Sequence, residues 1–282
     1  MKSGFLLIDK DVSLTSNDVD YKVKRIFNTK KVGHLGTLDP FATGLLIIGI
    51  NEATKLFKVI DEEKKTYVAK LVLNKETDTL DNTGKIINIV DRKEIAEEEI
   101  LDVFNSMLGK NKQIPPKYSA VHVNGKRAYE LARNNVDFEL IEKEICIYDI
   151  KLLNYKNDEI TFKTTVSKGC YIRQLGLDIA KKLNTVGYLN YLRREEIGKY
   201  KVSDAKKIND VNFSSLIKIE DMFKDIKQID IQNDKLLKLV KNGNVLKLDY
   251  KEEMIFFKYD ESLIALYKKQ DDKYHLVCLL RD

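Results

Sequence analysis

Asp39 is the only carboxylate in the stretch Gly33-His34-Leu35-Gly36-Thr37-Leu38-Asp39-Pro40-Phe41-Ala42-Thr43-Gly44, and it stands directly before a proline. The residue before a proline is driven toward extended backbone, which restricts where that carboxylate can point. A carboxylate held in a fixed place can attack carbon and form a covalent intermediate, or take up a proton. His34 lies in the same stretch. Much later, Tyr171 and Arg173 in Ser167-Lys168-Gly169-Cys170-Tyr171-Ile172-Arg173 sit where a strand gives way to a helix, and backbone donors at a helix start favour an anion. A third group, Lys117, Lys126, Arg127 and Arg133 around Tyr118 and Tyr129, has the chemistry to bind phosphates while the rings contact bases. Each of these has a plainer reading when taken singly. An Asp-Pro pair starts a turn, an arginine joins an ion pair, and a tyrosine packs in a core with only its hydroxyl wet.

The elements that must position these residues follow from composition and period. Three glycines, a proline and two threonines in twelve residues exclude a regular helix over 33–44, and the apolar run Leu45 to Ile50 after it predicts a buried strand. Gly4 to Lys10 reads as a short buried strand. Thr15-Ser16-Asn17-Asp18 offers an N-cap to a helix carrying Val19, Val23, Ile26 and Phe27. Asn51 and Glu52 are expected to cap a second helix that buries Ala53, Leu56, Phe57 and Ile60. Tyr67, Ala69, Leu71 and Leu73 alternate on one face of a strand. Thr77 to Gly84 reads as a loop, Lys85 to Val90 as a strand, and Glu94 to Leu108 as a helix closed by Gly109. Gln113 to Ala120 breaks the pattern; Val121 to Val123 is strand-like, with a turn at Asn124-Gly125. Ile160, Phe162, Thr164 and Val166 alternate as a central strand, followed by a helix with Leu175, Ile179 and Leu183. Beyond Asp221 come a short helix, Lys235 to Gly243, and short strands at Met254 to Lys258, Leu263 to Tyr267 and Tyr274 to Leu279. Strands and helices without strict alternation argue an α+β class.

The 282 residues suffice for one large domain, or a catalytic domain with a small appendage. An apolar fraction of 43% supports a sizeable core. Against 49 basic side chains stand 44 acidic ones, and the net charge of +5 permits a basic face for nucleic acid without demanding one. Cys146, Cys170 and Cys278 show neither metal spacing nor a disulfide framework, which fits a reducing compartment. His34, His122 and His275 do not pair as zinc ligands, so no metal is expected. The apolar run near the N-terminus is too short for a signal peptide, and no stretch is long and apolar enough to cross a membrane. A cytoplasmic protein is expected.

The stretch Gly33 to Gly44 is similar to the signature of the TruB family of tRNA pseudouridine synthases. Gln113-Ile114-Pro115-Pro116-Lys117-Tyr118-Ser119-Ala120, Gly125 to Arg133, Ser167 to Arg173 and Gly187 to Arg194 resemble further blocks of that family. Two positions depart from it. Lys10-Asp11-Val12-Ser13 stands where the family usually has Lys-Pro-x-Gly, which is expected to loosen a turn, and Cys170 replaces the usual threonine.

The resemblance implies a mixed, mostly antiparallel central sheet flanked by helices, with Asp39 in its cleft. It divides the chain into a catalytic domain, 1–222, with an RNA-clasping insertion near 110–145, and a small β-rich PUA-like RNA-binding module, 223–282. It implies isomerisation of a uridine in the T loop of tRNA, usually uridine 55, after the base is flipped from its stack. Asp39 is then the catalytic residue, acting as nucleophile or as base toward a sugar proton. Tyr67 stacks on the flipped base and takes part in C5 proton removal, and Arg173 pairs with Asp39. His34 occupies the place that the base has left, while Tyr171 and Leu192 line the uracil pocket. Lys117, Lys126, Arg127 and Lys168 are RNA-contact candidates. No cofactor is needed for an isomerisation, and a monomer without an obligatory protein partner is expected.

Two other classes remain in view. A tRNA-binding or tRNA-folding protein without catalysis would use the same scaffold, though Asp39, Tyr67 and Arg173 are all present. A guide-RNA-dependent relative would usually carry longer tails. A dinucleotide binder fails, because Gly33, Gly36 and Gly44 do not make Gly-x-Gly-x-x-Gly.

Overall fold

Successive residues of a strand face opposite sides of its sheet, so a strand covered on both faces reads as an unbroken apolar run. In the computed structural model, which describes residues 3–91, 94–123, 125–134 and 136–280, Gly4–Lys10 (β1) and Thr43–Ile50 (β3) are such strands. Leu6, Ile8, Leu46, Ile48 and Ile50 pack under the helix Ser16–Ile26 (α1), while Phe5, Leu7, Leu45 and Ile47 form the opposite core. Thr15 caps α1 through a capping box with Asp18, as its spacing implies. Val32–Leu35 (β2) forms a hairpin with β3, and residues 36–42 are the loop between them.

Lys64–Leu73 (β4) buries Tyr67, Ala69, Leu71 and Leu73 on one face, as their alternation predicts. Lys75–Thr77 (β5) and Ile86–Ile89 (β6) make a separate exposed ribbon. The helix Glu97–Met107 (α2) leads into Gly109–Gln113 (β7). His122–Val123 (β8) and Lys126–Arg127 (β9) form a small hairpin before Ala128–Arg133 (α3). The turn read at Asn124-Gly125 includes Asn124, which lies outside the described residues, as do Met1 and Lys2 of the N-terminal reading. Lys143–Lys156 (β10), Glu159–Ser167 (β11), the helix Ile172–Lys182 (α4), Gly187–Ile197 (β12) and Tyr200–Lys201 (β13) complete the larger unit.

The central sheet runs β1-β3-β12-β4-β11-β10-β7, with β2 also on β3 and β13 on β12. Every pairing in it is antiparallel except one. β3 and β12 run parallel and meet only at Arg193↔Thr43 and Arg194↔Gly44. That short seam joins the two halves of the sheet at the root of the Asp39 loop. Helices α2 and α4 cover the β4–β11–β10 half, and their core takes in Leu38, Phe41 and Ala42 from the loop.

After the short helix Ile219–Met222 (α5), Lys227–Asp230 (β14), the helix Asp234–Lys241 (α6), Met254–Tyr259 (β15), Ser262–Gln270 (β16) and Lys273–Leu279 (β17) build a four-stranded sheet, β14-β15-β16-β17. Phe256, Leu263, Leu266 and Cys278 on one face join the core beneath β1 and β3.

One local expectation needs correction. Asn51–Val59 is a 3₁₀ helix whose N-cap is Ile50, with no side-chain cap. Asn51 instead takes a left-handed conformation (φ 53°) and accepts a hydrogen bond from Thr29, so it is diverted from capping. In the turn after Lys10, Ser13 adopts φ 69°, and its N–H bonds to the carbonyl of Pro40 at 2.8 Å, so a serine carries left-handed strain there.

Candidate active site

The loop bearing Asp39 is pinned at every side. Ser16 Oγ, at the start of α1, accepts from Leu38 N at 2.9 Å and donates to Leu38 O at 3.2 Å. The Asp39 carbonyl accepts from Ala42 N at 3.1 Å, which closes the Asp-Pro turn. Arg194, only 1% exposed, donates from Nε to Leu45 O at 2.8 Å and from Nη2 to Gly36 O at 3.0 Å, so one guanidinium ties both ends of the loop. Its neighbour Arg193 points to the other face and forks onto Asp9 of β1 at 2.9 and 3.1 Å. Gly44 permits this closeness. A Cβ there would lie 2.2 Å from the Arg194 carbonyl, and its φ of 104° excludes ordinary side chains.

Lys10, fully buried, donates to the Leu14 carbonyl at 2.7 Å and reaches that of Pro40 at 3.5 Å. Burial pushes its ammonium down to about 8, against the pull of the Asp39 carboxylate.

Asp39 itself is 36% exposed, so it meets both solvent and protein. Arg173, on the first turn of α4 and 4% exposed, grips it with a fork: Nε to Oδ2 at 2.8 Å and Nη2 to Oδ1 at 3.2 Å. The same guanidinium donates to the carbonyls of Thr79 and Tyr118, each at 2.8 Å. Arg173 therefore gathers the Asp39 loop, the 78–84 loop and the 114–121 segment around one charge. Asp81 stands 3.9 Å away and is otherwise occupied by Thr79 and Thr83. The buried Gln113 sets the helix start: its Oε1 accepts from Tyr171 N at 2.8 Å and its Nε2 donates to Tyr171 O at 3.2 Å.

Tyr67 and Leu192 lie in one buried cluster with Leu38, Phe41 and Ile172, below the loop. Burial pushes the Tyr67 phenol up, while Arg194, its partner across the β4–β12 ladder, pulls the other way. Tyr171 is half-buried, and burial raises its phenol too. Cys170 packs against the same core, and burial pushes its thiol up to about 12, so it stays a neutral filler in threonine's place. His34 Nδ1 lies 2.8 Å from Asp20 Oδ2, which makes Nδ1 the donor, and Nε2 is 3.3 Å from Thr37 Oγ1.

Asp39, Arg173, Tyr67 and Leu192 are thus brought together from four distant segments, with Tyr171 near Asp39 and Arg173, while the contacts of His34 are to Asp20 and Thr37. The basic candidates are more scattered. Lys117 and Lys126 are exposed, but Arg127 is tied to the carbonyl of the exposed Ala120 at 2.6 Å and Lys168 pairs with Glu62. Arg194, Gln113 and Lys10 are structural members of the site that pattern reading passed over. Their signal was limited to position: Gln113 opens the Gln-x-Pro-Pro block, and Arg194 ends the last one.

Such a site presents a carboxylate anchored by a fork beside a buried apolar cluster that contains a phenol. Residues 24–172 match the sequence model of the TruB family pseudouridylate synthase N-terminal domain, and this chain belongs to that family. Over 255 residues it is 43% identical to the tRNA pseudouridine synthase B of Mycoplasma mobile, covering 89% of each chain. The protein of the same name from Acholeplasma laidlawii is 41% identical over 279 residues, covering 97% of this chain and 98% of that one. Among solved structures, a Cbf5 complex with Nop10 and Gar1 superposes with a TM-score of 0.70 at 21% identity, over 99% of this chain and 84% of that chain. At that identity the likeness concerns the fold.

Proposed function

We propose that this enzyme isomerises a uridine in the T loop of tRNA, uridine 55, to pseudouridine. The observation that carries the reading is the Asp39–Arg173 fork beside the buried cluster that holds Tyr67 and Leu192, which in this reading line the uracil pocket. The target nucleotide leaves its stack and places uracil in that pocket, where Tyr67 stacks on it and Tyr171 and Leu192 border it. Asp39 then acts at the sugar, either attacking C1′ as the N1–C1′ bond breaks or removing a sugar proton. The freed base turns and C5 bonds to C1′, which breaks the Asp39–C1′ bond on the first route or is accompanied by return of the sugar proton from Asp39 on the second. C5 gives up its proton, with Tyr67 near enough to the ring to assist, and N1 gains one, so substrate and product have the same atoms. Arg173 keeps the Asp39 carboxylate aimed throughout, since a fork resists rotation better than a single bond. His34 occupies the gap left in the T loop. Lys117, Lys126, Arg127 and Lys168 lie on the RNA side, with residues 110–145 as a clasp. Residues 1–222 serve as the catalytic domain and 223–282 as an RNA-binding module, in a cytoplasmic monomer.

The test is pseudouridine formation in an unmodified tRNA transcript, read at single-nucleotide resolution, by wild type and Asp39→Asn. Product at uridine 55 from wild type alone is expected. No product from folded wild type that still binds tRNA would overturn the reading in favour of RNA binding without catalysis.

A further inference from the structure

A large groove lies away from Asp39, at the far end of α1. It encloses about 890 Å³ and is walled by Tyr21, Lys24, Arg25, Lys30, Lys31 and the turn around Asn28 and Asn51. Four of its wall residues are cations and none is acidic. In a chain where 44 acids offset 49 bases, four cations on one wall are a local excess of positive charge.

Helix geometry makes the patch. Tyr21, Lys24 and Arg25 recur at spacings of three and four, so they share the face of α1 opposite Val19 and Val23, which are buried, and Asn28 follows in the turn beyond the helix. The helix dipole favours Lys24 and Arg25 in the last turn, but it does not account for Lys30 and Lys31 beyond the helix. Lys31 is partly neutralised by Glu52 at 2.9 Å. Tyr21 is 67% exposed, an unusual place for a large ring, and Lys24 Nζ stands 5.1 Å from its centroid on one face. At 67% exposure, much of the ring is accessible to a stacking partner. Cations beside an open aromatic face are the parts that hold a ribose-phosphate backbone and one of its bases.

The groove is in line with the site. α1 starts at Ser16, which holds the Asp39 loop, and ends at the groove; β2 starts just after Lys31 and runs into that loop through His34. At ~1.5 Å per helical residue, Lys24 and Arg25 lie about 12–14 Å along the axis from Ser16, a span that a few nucleotides cover. We propose that this groove binds the ribose-phosphate backbone of the substrate tRNA, outside the nucleotide that reacts, with Tyr21 stacking on an unpaired base. The proposal rests on tRNA being the substrate. The backbone in question belongs either to the T stem or to another arm of the tRNA.

The experiment uses the full chain carrying Asp39→Asn, so that binding is read without turnover. Lys24→Glu with Arg25→Glu is compared with Lys151→Glu and Lys156→Glu, an equal charge change on exposed residues of β10. Affinity for an unmodified tRNA transcript and for an isolated T stem-loop is measured across a salt series. The groove variant is expected to bind about tenfold more weakly than the control at ~0.1 M salt, with a salt slope lower by about one to two. Loss on both RNAs places the T stem in the groove; loss on whole tRNA alone places another arm there. Tyr21→Ala is expected to weaken binding severalfold with the slope unchanged, because stacking releases no counterions. Groove and control variants that bind both RNAs alike, with equal slopes, would overturn the proposal. Because binding is read apart from turnover, that failure is distinct from a wild type that converts no uridine.

Discussion

Replacing Arg173 by lysine keeps the positive charge and removes the fork. The arginine makes four hydrogen bonds, two to Asp39 and one each to the Thr79 and Tyr118 carbonyls, from a position that is 4% exposed. One ammonium on a flexible stem cannot serve three separate loops at once, so at least one buried carbonyl loses its donor and Asp39 keeps a single bond. Each orphaned acceptor costs about 1–3 kcal/mol, and the folded state is expected to lose on the order of 2–4 kcal/mol. The effect on rate is larger in kind. Freed to rotate, Asp39 spends little time at the sugar, and misplacement of that sort costs about 10²-fold. The assay is single-turnover conversion of a tRNA transcript under excess enzyme, so that weakened binding does not enter. Asp39→Asn alone should abolish conversion yet shift stability by only about 1 kcal/mol, since that side chain is a third exposed and the amide oxygen still accepts from Arg173. An Arg173→Lys enzyme, shown to be folded, that converts tRNA within about threefold of wild type would refute the view that the fork aims Asp39.

Lys10→Met gives a pH signature. Between pH 8 and 10.5 the unfolded chain keeps a proton on Lys10 that the folded chain has released, so wild-type stability rises with pH across that window. The term missing from Lys10→Met is on the order of 3 kcal/mol, read as the pH dependence of the stability difference in urea melts. A difference that stays flat from pH 7 to 10.5 would show that Lys10 is not desolvated. Gly44→Ala is expected to destabilise by more than ~2 kcal/mol and to cut single-turnover conversion, because its Cβ would meet the Arg194 backbone at 2.2 Å. Gly33→Ala, whose Cβ would reach only side chains at 3.6 Å or more, should shift the thermal midpoint far less. Ser13→Gly should stabilise by about 0.5–1 kcal/mol in the same melts, since it relieves a left-handed serine at φ 69°.

Local chemistry was readable without a structure. The capping box of Thr15 and Asp18, the alternation from Tyr67 to Leu73, and the glycine, proline and threonine content of 33–44 each act within a few residues, so their outcome is written in the order of side chains. Where a neighbour from elsewhere competes, local reading failed. Asn51 had the chemistry of a cap but was drawn to Thr29, and Ser13 was forced left-handed by its bond to Pro40. Lys143–Lys156, half polar and lying beside the short edge strand Gly109–Gln113, offered no clean period and went unread as a strand.

By itself, then, the sequence determined the α+β class, a looped carboxylate before a buried strand, and the residues that resemble a pseudouridine synthase. It did not determine what surrounds them. Arg173 lies 134 residues from Asp39, and Arg194 looks like any surface arginine until the β3–β12 seam closes over it. The basic groove of α1 was equally hidden among 49 cations, because whether a cation is neutralised depends on acids brought in from afar, as Glu52 is to Lys31 and Glu62 to Lys168. Charges act through space, and only the folded chain fixes those distances.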